Sequence, residues 1–510
     1  MSSSSNAPVK STPEQEAYMN FFLDPTEKRS GVVIAVAGSG KTTTILSPLD
    51  DKRLAGKTVA MIAFNKSIAG EIKEKLAKRG IPSNRVEAGT CHSFGLRAYS
   101  DGNGRPQVEG NKVFKITEDY FANHGELPFV MKPMVRKLVS MGKQNLAGIA
   151  FQFNDIAKWC DFIYHYDINT SDAIMDEEIA KVAIEVLRIS NNQRKVIDFD
   201  DMIYLPILQN LKFQKYDYVV IDEAQDTNPA RREMAKRMLD PETGRLMAVG
   251  DDKQAIYGFT GAGADSLEQI KRDFGATEMS LTYCFRSGKK IVEFAKQWNE
   301  KIQPAPNAID GEVSNLEMEK FYAEELTAEK VMLCRNTKPL IEVAFTLIRK
   351  GIPAYVEGRD IGEGLKKLAT RWKIKRIDQL IDKLEAFKAR ELKKARDKND
   401  DSKVQFVEDQ VATLMVIIDR CQNAKRHLID DVVAEINILF RDTDEGQRPA
   451  CFTLSTIHKS KGREWNTVYW LDRLGTLPSK YAKQAWQLQQ ESNLCYVAAT
   501  RAKQKLIEVA

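Results

Sequence analysis

The sequence predicts an α/β fold of two parallel sheets, each flanked by helices and each interrupted by a mainly helical insertion. Three observations carry that expectation. Short apolar runs followed at once by helical patterns recur along the chain, the rhythm of a parallel sheet covered on both faces. That rhythm lapses twice, over about 96–193 and 359–447, where helical spacing takes over. A glycine-rich loop and an acidic strand that belong together chemically stand on opposite sides of the first lapse.

Composition sets the bounds. At 510 residues the chain can hold several domains, with cores that need no disulfide or metal staple. Hydrophobic residues make up 43% and charged residues 29%, which fits neither a disordered nor a membrane-embedded protein. No uncharged apolar run approaches the roughly 18 residues of a membrane span. The opening MSSSSNAPVK lacks the apolar core of a secretory signal. The seven cysteines contain no CxxC pair, which argues against a zinc site, an iron–sulfur cluster or a disulfide framework. A cytosolic or nuclear protein is expected. The net charge of +5 is too small to identify a partner, since basic residues can gather in one groove while the total stays near neutral.

The elements follow in order. Residues 1–11 read as a disordered tail. Thr12, followed by Pro and Glu, caps an expected helix. The apolar run Val32–Val36 is a buried strand, and the glycines after it turn into a helix at Thr42–Leu46. Thr58–Phe64 is a second strand, running into a helix closed by Gly80. YDYVVIDEAQD and LMAVGDD resume the strands after the first insertion. The first domain is thus expected over 12–95 and 194–279, around the insertion 96–193. The second is expected to open near Ser280 with MSLTYCFRS and to occupy 280–358 and 448–510. KVMLCRN, GIPAYVEG, CFTLSTIH and NTVYWLD are its other strands, around the insertion 359–447. There Ile377, Leu380, Ile381, Leu384 and Phe387 fall at helical spacing, and the charged run ELKKARDKNDDSK reads as a solvated helix end or linker.

Between a strand and a helix, AVAGSGKTT (Ala35–Thr43) has the context of a phosphate-binding loop. Gly38 and Gly40 let backbone N–H groups of Ala37–Thr43, Ser39 among them, curl round phosphates. Lys41 supplies a point charge to the β- and γ-phosphates, and Thr42 a hydroxyl to Mg²⁺. In YVVIDEAQD four apolar residues deliver Asp222 and Glu223 to the carboxyl end of a sheet, where α/β proteins bind ligands. Asp222 is the candidate metal ligand, and Glu223 the base that orients and deprotonates an attacking water. ATP and Mg²⁺ are the expected substrate and ion.

VIDEAQD, together with VGDDKQAIYGFTGA (Val249–Ala262), closely resembles superfamily 1 DNA helicases of the UvrD/Rep type. TPEQ, FNKSIA, TCHSF, IDFDDMIYLP, LTYCFRS, STIHKSKGREWNTVYW and LCYVAATRA agree in the family's order, from Thr12 to Lys505. The resemblance implies two RecA-like P-loop NTPase domains. It implies that Gln15 reads adenine, that Phe285 stacks on it, and that Glu464 bonds the ribose with Gly462 allowing close approach. Gln254 would sense the γ-phosphate, and Arg286 and Arg501 would reach it from the second domain. Single-stranded DNA would be held by stacking on Phe64, Tyr257 and Phe259 and by backbone contacts from Asn65, Thr90, His92, His458 and Lys459. Each of these has a blander reading, as a core aromatic or a loop-ordering histidine.

The sequence also departs from its relatives. Ala35 stands where the strict phosphate-loop pattern has Gly, Phe285 where the family usually has Tyr, and Thr260 where Arg is common. FNKS resembles the F-box helicase branch, and the final block keeps Glu491 while losing the usual arginine before the Leu. Only nine residues follow Arg501, which leads us to expect no nuclease fusion. A 3′-to-5′ helicase acting at single-strand/duplex junctions is therefore expected, as a basic monomeric motor that meets single-strand-binding or recombination proteins. A translocase that strips proteins and unwinds poorly is the alternative, and an ATP-gated DNA-binding module is the alternative of another class. Nothing in these residues separates DNA from RNA.

Overall fold

The central strands of this chain form where residues are apolar on both sides of the backbone. The computed structural model describes residues 11–166, 168, 169, 171, 173–256, 265–396, 401–440 and 451–510. The chain folds as two compact units that divide between Thr282 and Tyr283.

In the first unit six parallel strands stand in the order β3–β2–β6–β7–β1–β8. They are β1 (Gly31–Ala35), β2 (Val59–Ala63), β3 (Val86–Thr90), β6 (Tyr218–Ile221), β7 (Arg245–Gly250) and β8 (Thr277–Leu281). Alternate residues serve opposite faces, as the two-residue period of a strand requires. Val33, Ala35, Met61, Val220 and Val249 pack with Tyr18, Phe22, Ile45 and Ile72, which lie on one face of the sheet. Val32, Ala60, Ile62, Val219 and Ala248 belong to a second core shared with the helices of 96–193.

Those helices are α4 (Cys91–Asn103), α5 (Lys112–Asn123), α6 (Met131–Gln144), α7 (Ile156–His165) and α8 (Asp176–Asn192), and α9 (Asp201–Leu208) follows them. The short pair β4 (Gln107–Val108) and β5 (Val196–Ile197) joins the two ends of this region. Met131, Met134, Val135, Leu138 and Val139 recur at helical spacing on α6 and are buried. A Cβ at Gly142 would stand 2.3 Å from the Trp159 ring, so only glycine allows α6 to meet α7 there.

A buried charge network ties α5 and α6 to the segment that opens α9. Lys112 Nζ lies 2.7 Å from Asp201, and Lys143 Nζ lies 2.6 Å from Asp198 and 2.7 Å from Asp201. Burial raises the Asp201 carboxyl, but the two ammonium groups outweigh it and hold it below the usual range. Asp200, between them, accepts hydrogen bonds from Ser140 Oγ and Gln144 Nε2. Phe199 is therefore gripped on both sides by anchored aspartates, and its ring stays 57% exposed.

The second unit carries a six-stranded parallel sheet in the order β11–β16–β15–β12–β14–β13. Its strands are β11 (Glu312–Leu316), β12 (Lys330–Cys334), β13 (Ala354–Val356), β14 (Phe452–Thr456), β15 (Trp465–Leu471) and β16 (Ala502–Val509). A short pair, β9 (Tyr283–Cys284) and β10 (Gln303–Pro304), stands apart. Between β13 and β14 come helices Arg359–Thr370, Ile377–Arg396, Asp401–Asn423 and Ile429–Leu439. Ile377, Leu380, Leu384 and Phe387 are buried as their spacing predicts, while Ile381 is only partly covered. The charged run is helical through Arg396, with Leu392 and Ala395 buried, so its first half is a packed helix and not a linker.

Two sequence expectations need correction. The segment MSLTYCFRS does not open the second sheet: Thr277–Leu281 pairs with β1 and completes the first, and beyond the division Tyr283–Cys284 pairs only with the short β10. An apolar run by itself cannot tell which of two sheets it joins. Strands β11 and β16 were not expected, because alternate positions carry Glu312, Lys503 and Lys505 and mask the apolar face. Among the described residues no helix is long and apolar enough to cross a membrane.

Lys143→Met would leave two buried carboxylates short of a cation. It is expected to destabilise the first unit by about 3 kcal/mol or more, read as a lower urea midpoint, and adding Asp198→Leu should recover part of the loss. An unchanged midpoint would show that the network contributes nothing.

Candidate nucleotide and nucleic-acid sites

Because β7 lies between β6 and β1, the carboxyl ends of three neighbouring strands bring distant segments together. Gly38 and Gly40 take φ of +67° and +76°, left-handed values that turn the loop after β1 into the short helix Lys41–Leu46. Lys41 Nζ reaches Glu223 Oε2 at 3.1 Å, and Thr42 Oγ1 lies 3.3 Å from Asp222 Oδ2. Glu223 itself has φ +54°, a strained value for a residue with a side chain, held while its N–H donates to Asp222 Oδ1. Gln225 joins two strand ends: its Nε2 donates to Glu223 Oε2 and its Oε1 accepts the Asp251 N–H. Gln254 Nε2 in turn donates to Asp251 Oδ2 at 2.6 Å.

The electrostatics of this cluster are lopsided. Burial lowers the Lys41 ammonium, but Glu223, Asp251 and Asp222 outweigh it and raise its pKa. Burial and the neighbouring Glu223 push the Asp222 carboxyl up to about 6, against the pull of Lys41. Burial carries Asp251 up to about 7. Three carboxylates thus face one ammonium, and the surplus negative charge with hard oxygen donors fits a magnesium ion. Among the described residues no cluster of three or more His, Cys, Asp or Glu side chains forms a complete metal cage. The Ser39 hydroxyl is buried in the loop without a hydrogen-bond partner. Ala37 is buried and Thr43 exposed.

Gln15 stands beside this loop. Thr12 N–H donates to its Oε1 in a capping box, and its Nε2 donates to Thr44 Oγ1. Helix α1 (Pro13–Leu23) is held down by Arg245, whose guanidinium donates to the carbonyls of Phe21, Phe22 and Arg29.

The same carboxyl edge continues to β2 and β3. Phe64 is half-buried there, not a core residue, and the Asn65 side chain caps α3 (Lys66–Lys78) by accepting from Ile68 N–H. Thr90 caps α4 in a reciprocal pair with Ser93. His92 lies edge-on to Phe199, with ring centroids 6.1 Å apart, and burial with the nearby Arg231 charge pushes its pKa down to about 4. Phe199 was missed in the sequence; an aromatic flanked by acidic residues in IDFDDM was the available signal. Tyr257 and Phe259 lie outside the described residues, as does Thr260.

In the second unit Arg286 Nε pairs with Glu464 Oε2 at 2.6 Å, and its Nη1 donates to the Thr500 carbonyl. Lys503 also reaches Glu464, and these cations, outweighing burial, hold its carboxyl down at about 2. Arg501, 1% exposed, donates to the carbonyls of Val497 and Arg463. Gly462 has φ +85° with open space around it, and the Phe285 ring is exposed. Arg286, Glu464 and Arg501 thus belong to one neighbourhood, built on the segment after β9 and those before β15 and β16, with Phe285 and Gly462 adjoining in sequence. His458 follows β14, half-buried, its pKa pushed down to about 3 by burial and by Arg335. Lys459 is exposed. Arg335 grips Glu491 through Nε and Nη2, a pairing that sequence spacing could not reveal.

Comparison with known proteins accounts for both units. The profile of the UvrD/REP helicase N-terminal domain matches residues 12–275, and that of the UvrD-like helicase C-terminal domain matches 178–509. A probable DNA helicase of Mycoplasma pneumoniae is 25% identical over 94% of this chain and 80% of its own. F-box DNA helicase protein 1 of Schizosaccharomyces pombe is 24% identical over 97% of this chain and 57% of its own. ATP-dependent DNA helicase Rep of Buchnera aphidicola subsp. Schizaphis graminum is 28% identical over 52% of this chain and 41% of its own. With profiles covering each more than half of its length, the chain belongs to the UvrD/Rep family of helicases.

Proposed function

We propose that this chain is an ATP-driven motor that moves 3′ to 5′ along single-stranded DNA and unwinds duplex ahead of it. The observation that carries the reading is the shared strand edge of the first unit. The phosphate-loop cluster sits at the ends of β1, β6 and β7, and the aromatic and polar candidates for strand binding sit at the ends of β2 and β3. Events at one group of strand ends are felt by the other through a rigid parallel sheet.

The charge arrangement supports an order of events. When the phosphates of ATP enter the loop, Lys41 exchanges the Glu223 carboxylate for them. Thr42 and Asp222 would hold a magnesium ion, which would supply charge neutralisation for the phosphates. Glu223, released from Lys41 but still held by Gln225, orients a water and accepts its proton. Gln254, fixed on Asp251, is the γ-phosphate sensor, and Gln15 reads the adenine. Arg286 and Arg501, with Phe285 and Glu464, are the second unit's own candidates for nucleotide contacts. Phe64, Phe199 and His92 hold bases or backbone of the strand, with Asn65, Thr90, His458 and Lys459 as further polar contacts.

Lys41→Ala is expected to abolish ATP turnover while binding of single strands stays measurable; turnover near the unmutated rate would break the phosphate-loop assignment. Glu223→Gln should bind nucleotide yet hydrolyse it at least ~100-fold more slowly, and normal hydrolysis would remove its role as base. The reading as a whole is tested by ATPase rate with and without single-stranded DNA, then by unwinding of 3′-tailed and 5′-tailed duplexes. Stimulation with unwinding only from the 3′ tail is the expected result. Stimulation without unwinding would point instead to a translocase that clears bound proteins, and no stimulation by DNA would defeat the proposal.

A further inference from the structure

Helix α10 (Pro229–Met238) begins directly after the acidic strand end and carries three arginines with different surroundings. Arg232 pairs with Asp273 at 2.8 Å, and Arg237 pairs with Glu233 at 2.8 Å. Arg231 has no such partner: among the described residues no carboxylate pairs with it. Its backbone is fixed, because Asn228 caps the helix by accepting the Arg231 N–H at 3.0 Å. Its guanidinium makes one hydrogen bond, from Nη1 to the Asp226 carbonyl at 3.0 Å. Nε is shut off from solvent and has no acceptor at all.

The position of this guanidinium is specific. Cζ stands 5.7 Å from the centroid of the Phe64 ring, within cation–π range. Its charge is also felt at His92, on the next strand end. A half-buried cation with unsatisfied donors costs free energy unless an anion completes it. The described residues supply none here, although they do so for both other arginines of the same helix. Arginine presents a planar fork of donors that suits a phosphate better than any other side chain does.

We infer that Arg231 is a phosphate-binding residue for the translocated strand, pairing with a backbone phosphodiester whose adjoining base stacks on Phe64. This deepens the reading of the first unit as a single-strand-binding motor and rests on it. The contact is sequence-independent, since it reads backbone charge and a π-face. It also hangs from the carbonyl of Asp226, in the segment that carries Asp222 and Glu223.

The test compares oligothymidylate binding by the full chain, Arg231→Gln and Arg231→Lys across a salt series, with thermal melting of each. Arg231→Gln is expected to weaken binding roughly tenfold and to flatten the slope of log affinity against log salt by about 0.7, one phosphate contact on a single strand. Arg231→Lys should keep the slope while losing part of the affinity. A residue that merely orders Phe64 would weaken binding without changing the slope, and that result overturns the inference. Should Arg231→Gln fail to fold, protection of Arg231 from phenylglyoxal by oligothymidylate in the unmutated chain gives the answer. Equal labelling with and without the strand overturns the inference. Failure of the unmutated chain to bind oligothymidylate defeats the underlying motor reading instead.

Discussion

Lys41 is one ammonium set among the carboxylates of Asp222, Glu223 and Asp251 at the end of a buried sheet, and much of the first unit follows from that imbalance. Carboxylates so placed repel one another and are poorly solvated, as the raised values of Asp222 and Asp251 show. The lysine relieves part of that cost and leaves a surplus of negative charge at the strand ends. The strained backbone of Glu223 and the hydrogen bond from Gln225 hold that carboxylate beside Lys41.

The scaffold makes this possible because neighbouring strands run in the same direction. All strands of the first sheet present their carboxyl ends to one edge, so five loops from different parts of the sequence converge without long excursions. The 180-residue separation of Thr42 from Asp222 disappears once β7 is threaded between β1 and β6. Within the helical region between β3 and β6, α5 and α6 are fastened by buried ion pairs of Lys112 and Lys143 to the aspartates flanking Phe199. Burying four charges is a costly way to fasten helices. It does fix the ring between them in a single exposed position beside His92, which a purely apolar contact would specify less sharply.

The second unit uses its charges differently. Arg286, Glu464 and Lys503 form a closed set, and Arg501 is bound to backbone carbonyls inside the same fold. These arginines are pre-positioned by their own unit. Arg231 in the first unit is the contrasting case, a guanidinium for which the described residues provide no counter-anion.

The sequence alone determined the parallel α/β class, the phosphate loop, the acidic strand end and the family, because each rests on a local pattern: apolar runs of strand length, glycines at fixed offsets, carboxylates after a hydrophobic approach. Tertiary structure decided what depends on long-range pairing. Thr277–Leu281 went to the first sheet because β1 offered an open parallel edge, a choice that no local pattern encodes. Strands β11 and β16 stayed hidden because charged residues alternate along them, and only their register against each other and β15 buries the remaining positions. Gln225, Phe199, Arg335 and Arg231 gained their roles from partners tens to hundreds of residues away or from the lack of one, and such partnerships exist only once the chain has folded.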